Sequence, residues 1–302
     1  MIKRILLTGA SGFVGRALVP ALLARGYHLR LPLRDGTAFP DLPAGSETVS
    51  IADLETADWP AMMDGVDAVI HLAAIAHIGP SVSDDAYERI NHQASVALGR
   101  AASASGHVQR FIFMSSIRAQ TGVSSDLPLH VGLPPQPTDA YGRSKLKAEQ
   151  DLAALPGLAV TSLRPVVVYG EGVKGNVATM LKLARTGLPL PIGGLKAKRS
   201  YLSLDRLVER VILALKIDTP LTGPQIVADP EAMTLVEFWE HLLDLQAQRT
   251  GDPIIKLRVW NVPEWLMRMV IKSFNPNLWH KLGGSQMVCQ KWLGLFEQIS
   301  VS

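Results

Sequence analysis

Short apolar runs alternate with segments of helical periodicity along the first 165 residues of the chain. The runs contain few polar residues, which is typical of strands whose two faces are both covered by helices. The predicted strands are Ile2–Thr8, His28–Leu33, Thr48–Ile51, Ala68–Leu72, Arg110–Ser115 and Ala159–Arg164. A helix is predicted at Phe13–Arg25, directly after the first strand. This order predicts an α/β fold with a Rossmann-type, doubly wound parallel sheet.

The pattern changes after Pro165, where glycine and proline interrupt the chain at Gly170–Gly175 and Gly187–Gly194. One more strand is predicted at Gln225–Val227. We interpret this half as a smaller C-terminal lobe that is interleaved with the first domain. The expected larger domain comprises residues 1–165 and about 201–228, and the expected smaller lobe comprises residues 166–200 and 229–302.

The tail from Trp260 onwards has the composition of an amphipathic helix. Its apolar residues surround Arg268 and Lys272, and they are Trp260, Trp265, Met267, Met269, Val270 and Phe274. Such a helix can pack on the protein or touch a membrane surface, and packing is the favoured interpretation. No apolar run reaches the roughly 20 residues of a membrane span, and no secretion signal is visible. We therefore expect a cytoplasmic protein.

The charge balance is mildly positive, with 30 lysines and arginines against 27 acidic residues. These basic residues are scattered and are not interleaved with aromatic ones, so nucleic-acid binding is not expected. The excess of positive charge also suits an anionic small substrate. Cys289 is the single cysteine, which excludes an intrachain disulfide, and we assign no metal site.

Three glycines mark the turn between the first strand and the first helix, at Gly9, Gly12 and Gly15. Gly9 permits a tight turn, Gly12 lets the backbone approach a phosphate, and Gly15 lets the helix lie close to the sheet. The backbone amides of Phe13 and Val14 then lie at a helix N-terminus, which attracts anions. This position and spacing predict a dinucleotide site on the larger domain.

The end of the second strand bears on the choice of cofactor. The position where NAD-binding proteins usually have an acidic residue holds Leu33, and Arg34 follows it. An arginine there suits the 2′-phosphate of NADP, so NADP(H) is favoured over NAD(H). The neighbouring Asp35 weakens this distinction. Asp53 and Leu54 follow the third strand and are placed to contact adenine, although Asp53 could equally cap a turn.

A tyrosine and a lysine one helical turn apart predict proton transfer. Tyr141 and Lys145 open a segment that we expect to be helical through Leu155, so they share one face. A nearby ammonium group favours the phenolate form of a tyrosine. Ser115 and Ser116 end the fifth strand, at the edge of the sheet where ligands of open α/β folds bind. One of their hydroxyl groups can hold a substrate oxygen against the tyrosine.

These motifs together resemble the extended short-chain dehydrogenase/reductase family, which includes UDP-glucose 4-epimerase. Besides the three glycines, the matching stretches are His71-Leu72-Ala73-Ala74, Ser115-Ser116, Tyr141-x-x-x-Lys145, Arg164-Pro165-Val166-Val167-Val168-Tyr169-Gly170 and Arg199-Ser200-Tyr201. The resemblance implies that Ser116 is the catalytic hydroxyl, Tyr141 the acid/base and Lys145 the residue that binds the nicotinamide ribose. It also implies that Ala73 and Ala74 contact the cofactor.

Within this family, three further stretches resemble reductases that act on a UDP-linked 4-keto-6-deoxy-N-acetylglucosamine. These stretches are Ser115-Ser116-Ile117-Arg118, Gly172-Val173-Lys174-Gly175-Asn176 and Leu188-Pro189-Leu190-Pro191. The resemblance implies that Asn176 and Arg199 bind the diphosphate and that Ser116 contacts the sugar. His77, in the loop after the fourth strand, is placed either to face the sugar or to serve the loop itself. A homodimer is usual in this family.

Two departures from the family pattern limit the possible reactions. Family dehydratases follow the catalytic serine or threonine with Asp-Glu, whereas this chain has Ile117 and Arg118 there, so dehydration is not expected. The usual C-terminal Gly-Trp-x-Pro turn is replaced by Trp292-Leu293-Gly294-Leu295-Phe296.

Three functions are compatible with these features to different degrees. The favoured one is the NADPH-dependent reduction of a sugar ketone, with Tyr141 as the proton donor. An epimerase would use the same residues, but a redox-neutral reaction has no need of the NADPH pool that Arg34 points to. A non-catalytic dinucleotide sensor would be expected to have lost Tyr141 or Lys145, and the chain has both.

Overall fold

A computed structural model describes residues 2–37, 44–76, 82–173, 176–184, 186–251, 256–274, 279–280 and 282–289 of the chain. The strands are β1 Arg4–Thr8, β2 His28–Arg34, β3 Ser46–Ile51, β4 Ala68–His71, β5 Arg110–Met114, β6 Ala159–Pro165, β7 Val167–Tyr169, β8 Lys198–Ser203, β9 Gly223–Val227 and β10 Ala232–Thr234. The helices are α1 Phe13–Leu23, α2 Trp59–Met62, α3 Asp84–Tyr87, α4 Ala94–Ser105, α5 Ile117–Gln120, α6 Ala140–Ala153, α7 Asn176–Ala184, α8 Leu204–Lys216, α9 Leu235–Thr250 and α10 Glu264–Phe274. A π-helical segment, Glu88–Gln93, joins α3 to α4.

Seven of the described strands form a sheet in the order β3-β2-β1-β4-β5-β6-β9, and every neighbouring pair in it is parallel. This sheet confirms the predicted Rossmann-type fold. The strand order reverses between β1 and β4, and ligands of open parallel sheets bind at the C-terminal ends of the strands beside such a reversal. Helix α1 ends at Leu23, before the predicted Arg25, because the chain turns at Gly26 with a φ of 80°.

The two faces of this sheet bury different sets of side chains, as the strand pleat requires. Ile5 and Leu7 point to the face that is covered by α1 and α8, whereas Leu6 points to the face that is covered by α4 and α6. All three side chains are fully buried. Burial on both faces explains why a central strand such as β1 is a continuous apolar run in the sequence.

The remaining described strands form a separate small sheet in the order β10-β8-β7. Helices α7, α9 and α10 contribute to two apolar clusters beside it. Strand β8 runs through residue 203 and therefore crosses the expected boundary between residues 200 and 201. Residues 201–203 thus pair within the small sheet, while α8 and β9 return to the large one.

The amphipathic segment of the tail forms α10, whose Met267 and Ile271 pack in an apolar cluster with Trp239 of α9. In the described part of the chain, no helix is both long enough and apolar enough to cross a membrane. The C-terminal departure from the family pattern, at residues 292–296, lies outside the described residues.

Candidate active site

The glycine turn follows β1 at the C-terminal edge of the sheet. Gly9 has a φ of 75°, and a Cβ atom there would lie 2.7 Å from the backbone nitrogen of Ala73. A Cβ atom on Gly15 would lie 2.6 Å from the Cα atom of Ala10. Both contacts are with backbone, which cannot easily move, so the turn requires glycine at these two positions. Gly12 is less tightly enclosed, because its hypothetical Cβ atom lies 3.1 Å from the nearest atom, the carbonyl oxygen of Gly9.

Helix α1 begins in a way that leaves its first amides available to a ligand. Its N-cap residue is Gly12, no side chain caps it, and its first turn holds no acidic residue. By contrast, α6 is capped by Asp139, whose carboxylate accepts a hydrogen bond of 2.7 Å from the backbone amide of Gly142. The free amides at Phe13 and Val14 are therefore suited to the diphosphate of a dinucleotide, and their role in cofactor binding stays a prediction.

A chain of buried hydrogen bonds ties the ends of β1 and β4 to α4. The Thr8 hydroxyl lies 2.6 Å from Nδ1 of His71, and Nε2 of His71 lies 2.8 Å from the Ser95 hydroxyl. Since Ser95 donates its own proton to the carbonyl oxygen of Asn91, Nε2 of His71 must carry a proton and Nδ1 must accept from Thr8. Burial, and secondarily the charge of Lys145, lowers the pKa of His71 to about 3, so the imidazole is neutral.

Asn91 extends this series of hydrogen bonds to the loop after β4. Its side-chain oxygen accepts a hydrogen bond of 2.8 Å from the backbone amide of Ile75, and its nitrogen donates one of 3.0 Å to the carbonyl oxygen of Ile75. The loop that carries Ala73 and Ala74 is thereby held at both ends, by Thr8 and by Asn91. Sequence reasoning missed Asn91 and Ser95. No local signal marks them, because Asn91 lies in the mostly polar stretch Glu88–Gln93 and α4 contains polar residues besides Ser95.

The structure distinguishes the two serines at the end of β5. Ser115 is buried and donates its hydroxyl proton to the carboxylate of Glu149. Ser116 caps α5, accepts a hydrogen bond of 3.2 Å from the backbone amide of Arg118, and also bonds to the side chain of Tyr141. Ser116 is therefore the serine that contacts Tyr141, and the catalytic role that the resemblance implies for it stays a prediction.

Tyr141 lies in the first turn of α6, and its side chain is buried. Burial raises the pKa of its phenol above the ordinary value, and the hydrogen bond from Ser116 only partly offsets this. The expectation that the Lys145 ammonium group favours the phenolate is not met, because the positive charge that lowers the pKa of Tyr141 is that of Arg118 and burial outweighs it. Removal of water disfavours the charged form more strongly than the neighbouring positive charge favours it. The phenol is protonated, which suits a proton donor.

Lys145 points back towards the end of β5. Its ammonium nitrogen donates a hydrogen bond of 2.8 Å to the carbonyl oxygen of Met114 and lies 4.6 Å from the ring centre of Phe113. Burial lowers its pKa to about 7, although the charge of Glu149, one turn further along α6, acts in the opposite direction. One bond to Met114 leaves two donor positions on the ammonium group for a ligand.

Beneath these residues lies a closed polar network around Arg164. Its Nε atom donates hydrogen bonds of 2.9 and 3.1 Å to the two carboxylate oxygens of Glu149. Its Nη2 atom also binds Glu149, and its Nη1 atom binds the side-chain oxygen of Gln120. Glu149 further accepts the Ser115 proton. Arg164 and Glu149 are almost fully buried, so this ion pair is satisfied from several sides, as buried pairs must be.

Arg118 has a different environment. Its Nη2 atom pairs with the carboxylate of Asp139, the cap of α6. Its Nε and Nη1 atoms are buried and have no hydrogen-bond partner in the described part of the chain. The charge of Arg118 influences the pKa values of both Tyr141 and Arg199. The guanidinium groups of Arg118 and Arg199 are therefore close enough to interact electrostatically.

Arg199 reaches the same region from β8 in the small sheet. Its Nη2 atom donates a hydrogen bond to the carbonyl oxygen of Val123. Burial lowers its pKa, and the charge of Arg118 acts in the same direction. Two like charges in one partly buried region suit an anionic ligand, because an anion would reduce their repulsion.

Three of the predicted cofactor residues lie farther along the sheet edge. Arg34 is exposed at the end of β2, and the side chain of the neighbouring Asp35 accepts a hydrogen bond from Ser50. The carboxylate of Asp53 caps a turn by accepting bonds from the backbone amide of Thr56, at 2.7 Å, and from its hydroxyl, at 2.8 Å. These bonds lower the pKa of Asp53. Leu54 is partly buried on the apolar cluster beneath α4 and α6.

Two of the predicted substrate residues cannot be placed. His77 lies outside the described residues. Asn176 is the first residue of α7, but its side chain is also outside what the structure describes.

Residues 5–227 match the model of the NAD dependent epimerase/dehydratase family. The chain belongs to this family. It is 34% identical over 292 residues to the UDP-glucose 4-epimerase of Vibrio cholerae, a match that covers 91% of this chain and 83% of that protein. The family member described here is therefore an NAD(P)-dependent enzyme of the extended short-chain dehydrogenase/reductase type, as the sequence motifs predicted.

Solved structures share its fold. The Bordetella bronchiseptica enzyme WbmG, in complex with NAD and UDP, matches with a TM-score of 0.69 and 21% identity, covering 100% of this chain and 97% of that one. The UDP-glucose 4-epimerase of Thermus thermophilus, in complex with NAD, matches with a TM-score of 0.71 and 24% identity, covering 97% and 92% of the two chains.

Proposed function

We propose that this family member reduces the 4-keto group of a UDP-linked 6-deoxy amino sugar, with NADPH as the hydride donor and Tyr141 as the proton donor. The observation that carries the proposal is the guanidinium group of Arg118 beside Ser116 and Tyr141. A dehydratase needs an acid there to move a proton, and arginine cannot be deprotonated in proteins. The site retains Tyr141 as a proton donor, and burial raises the pKa of its phenol.

The cofactor assignment rests on two features of the larger domain. The uncapped N-terminus of α1 fits a dinucleotide diphosphate. The exposed Arg34 is available to a 2′-phosphate, while the nearby Asp35 is engaged with Ser50. The relatives with solved structures bind NAD, and NADP(H) is our proposal for this chain on the basis of Arg34.

The UDP-sugar assignment rests on the small lobe and on the relatives. Arg199 presents a guanidinium group beside the site, where a fork of donors suits diphosphate oxygens. Asn176 is proposed to assist it, and His77 to face the sugar. The Vibrio cholerae relative is a UDP-glucose 4-epimerase, and WbmG binds UDP. We also propose that this protein forms a homodimer.

When bound, the reduced nicotinamide supplies a hydride. The residues of the chain orient the ketone and handle the proton. Ser116 and Tyr141 would donate hydrogen bonds to the ketone oxygen, and Tyr141 would transfer its proton to that oxygen. Because Ser116 has one hydroxyl proton, it would then donate that proton to the phenolate oxygen in place of the sugar oxygen. The Ser116 hydroxyl and the positive charge of Arg118 both stabilise the phenolate that remains, because each lowers the pKa of Tyr141. Lys145 uses its free donor positions to hold the nicotinamide ribose.

An epimerase is the second candidate, and the identity of the relatives favours it. The same Ser116, Tyr141 and Lys145 would remove and return hydrogen at one sugar carbon. The two candidates differ in cofactor use, since only the reductase consumes NADPH.

The deciding experiment mixes the purified protein with NADPH and a UDP-linked 4-keto-6-deoxy-N-acetylhexosamine, and follows the loss of NADPH absorbance. We expect one NADPH to be consumed for each 4-hydroxy sugar formed. A parallel reaction contains UDP-N-acetylglucosamine and NAD, with the products separated by chromatography. Interconversion of 4-hydroxy epimers without NADPH loss would replace the reductase by the epimerase. The Tyr141→Phe variant serves as the control for background oxidation.

A further inference from the structure

Exposed apolar side chains are concentrated in two neighbouring segments of the small lobe, one that ends α7 and one that includes α10. In the part of the chain that the structure describes, eight large apolar side chains are exposed, and six of them fall between residues 183 and 270. Two are tryptophans, Trp260 at 62% and Trp265 at 67% exposure. We call this set the α10 face, and its members are Leu183, Leu188, Trp260, Trp265, Met269 and Val270.

The segments that carry the α10 face are held together by backbone contacts. Trp260 donates a backbone hydrogen bond of 2.8 Å to Leu190, and Leu190 donates one of 2.9 Å to Arg258. Gly194 packs so closely on Val262, just before α10, that a Cβ atom there would overlap the Val262 carbonyl oxygen. The exposed residues therefore belong to neighbouring, mutually supported segments.

Helix α10 separates an inward side from an outward side. Met267 and Ile271 pack into the apolar cluster of the lobe. Trp265, Arg268 and Met269 point outward and are exposed. Together with Lys272 they follow the spacing i, i+3, i+4 and i+7, so they form one stripe along the helix. The favoured sequence-based interpretation, packing on the protein, thus accounts for only one side of the helix.

The charges around the α10 face are mostly positive. The described residues of 182–190 and 256–274 contain one acidic residue, Glu264. The same segments contain five basic residues, which are Lys182, Lys256, Arg258, Arg268 and Lys272. Tryptophan, methionine and basic residues on one helix side are typical of helices that lie in a membrane interface, where long basic side chains reach the lipid headgroups.

We propose that the α10 face docks the protein on an anionic lipid surface, without a membrane span. A second copy of the chain is the rival occupant. A twofold interface would place this same, mostly basic surface against itself and would bring the positive charges of two copies together. Like charges facing each other oppose that contact, whereas anionic headgroups complement them. The lobe that would dock is the one that carries Arg199.

The test is sedimentation of the full chain with vesicles of phosphatidylglycerol and phosphatidylcholine, compared with vesicles of phosphatidylcholine alone. We expect binding to the anionic vesicles that weakens as salt is raised. The double variant Trp265→Ser/Met269→Ser should bind at least about tenfold more weakly, because two apolar side chains no longer leave water. Arg268→Gln should weaken binding to anionic vesicles about fivefold.

The matched control is Leu127→Ser, since Leu127 is 63% exposed but lies outside the α10 face. This variant should bind vesicles as the wild type does. NADPH oxidation in solution should be the same in all these variants, which separates this proposal from the proposed function. Wild-type protein that ignores anionic vesicles would overturn the proposal. A dimer in size-exclusion chromatography that is lost in the Trp265→Ser/Met269→Ser variant, without vesicle binding, would assign the face to a second copy.

Discussion

The two serines that end β5 enter two different surroundings. Ser115 faces a closed network in which Arg164 and Glu149 satisfy each other. Ser116 faces a region whose hydrogen bonds are incomplete, which we call the open region. In it, one nitrogen of Arg118 binds Asp139, and two have no partner in the described part of the chain. Both arginines are mostly buried, at 2% and 14% side-chain exposure for Arg164 and Arg118. Of the two, only Arg164 has hydrogen-bond partners for Nε, Nη1 and Nη2.

This difference separates a structural role from a functional one. A buried charge is tolerated when hydrogen bonds surround it, and the Arg164 network meets that condition. Buried donors without partners lower stability, and they persist where a ligand or a reaction supplies the missing partner. We therefore expect variants in the closed network to change mainly the free energy of unfolding, and variants in the open region to change mainly the rate of catalysis.

The largest effect is expected for Tyr141→Phe, in the open region. Removal of the transferable proton should lower kcat by about 10²–10⁴-fold, while the affinity for NADPH and the melting temperature change little. Steady-state kinetics, cofactor titration and thermal unfolding of the same preparation measure these three quantities. A variant with wild-type turnover would exclude Tyr141 as the proton donor.

Arg164→Met tests the closed network. Because Glu149 would be left buried without its partner, the free energy of unfolding should fall by about 3–5 kcal/mol. Chemical denaturation measures this loss. The double variant Arg164→Met/Glu149→Leu removes both charges and should be more stable than the single one. If the single variant were as stable as the wild type, Arg164 would have no structural role of the kind described here.

Arg118→Met tests the open region and is the counterpart of Arg164→Met. We expect kcat to fall roughly 10–100-fold, because a charge-assisted interaction with the phenolate or the sugar is lost. The free energy of unfolding should change much less than in Arg164→Met, because two of the three guanidinium nitrogens of Arg118 have no partner in the described part of the chain that the substitution could remove. Arg118→Lys keeps the charge and should recover part of the activity. A large loss of stability with normal kcat would make Arg118 a structural residue like Arg164.

The smallest effect is expected at the exposed end of β2. Arg34→Ala should weaken NADPH binding roughly tenfold and leave NADH binding unchanged, because only NADPH carries the 2′-phosphate. Fluorescence titration of both cofactors into both proteins measures the four affinities. Equal affinities of the wild type for NADPH and NADH would remove the argument for NADP(H).

The sequence determined the fold and the order of the site along the chain. The apolar runs of the first 165 residues predicted six of the seven strands of the large sheet, because strands covered on both faces are mostly apolar. The glycine turn could be located because three glycines at three-residue spacing directly follow the first strand. Tyr141 and Lys145 could be paired because helical spacing is a local property. These features depend on neighbours within a few residues, which a sequence displays directly.

Only the tertiary structure decided what depends on distant partners. Neighbouring serines look alike in the sequence, yet Glu149 engages Ser115 and leaves Ser116 to Tyr141. Burial by other elements raises the pKa of Tyr141 and lowers that of Lys145, so both shifts favour the neutral form. Such burial is not visible in local spacing. Likewise, the sequence showed that α10 is amphipathic, but only packing on α9 decided which of its apolar residues stay exposed.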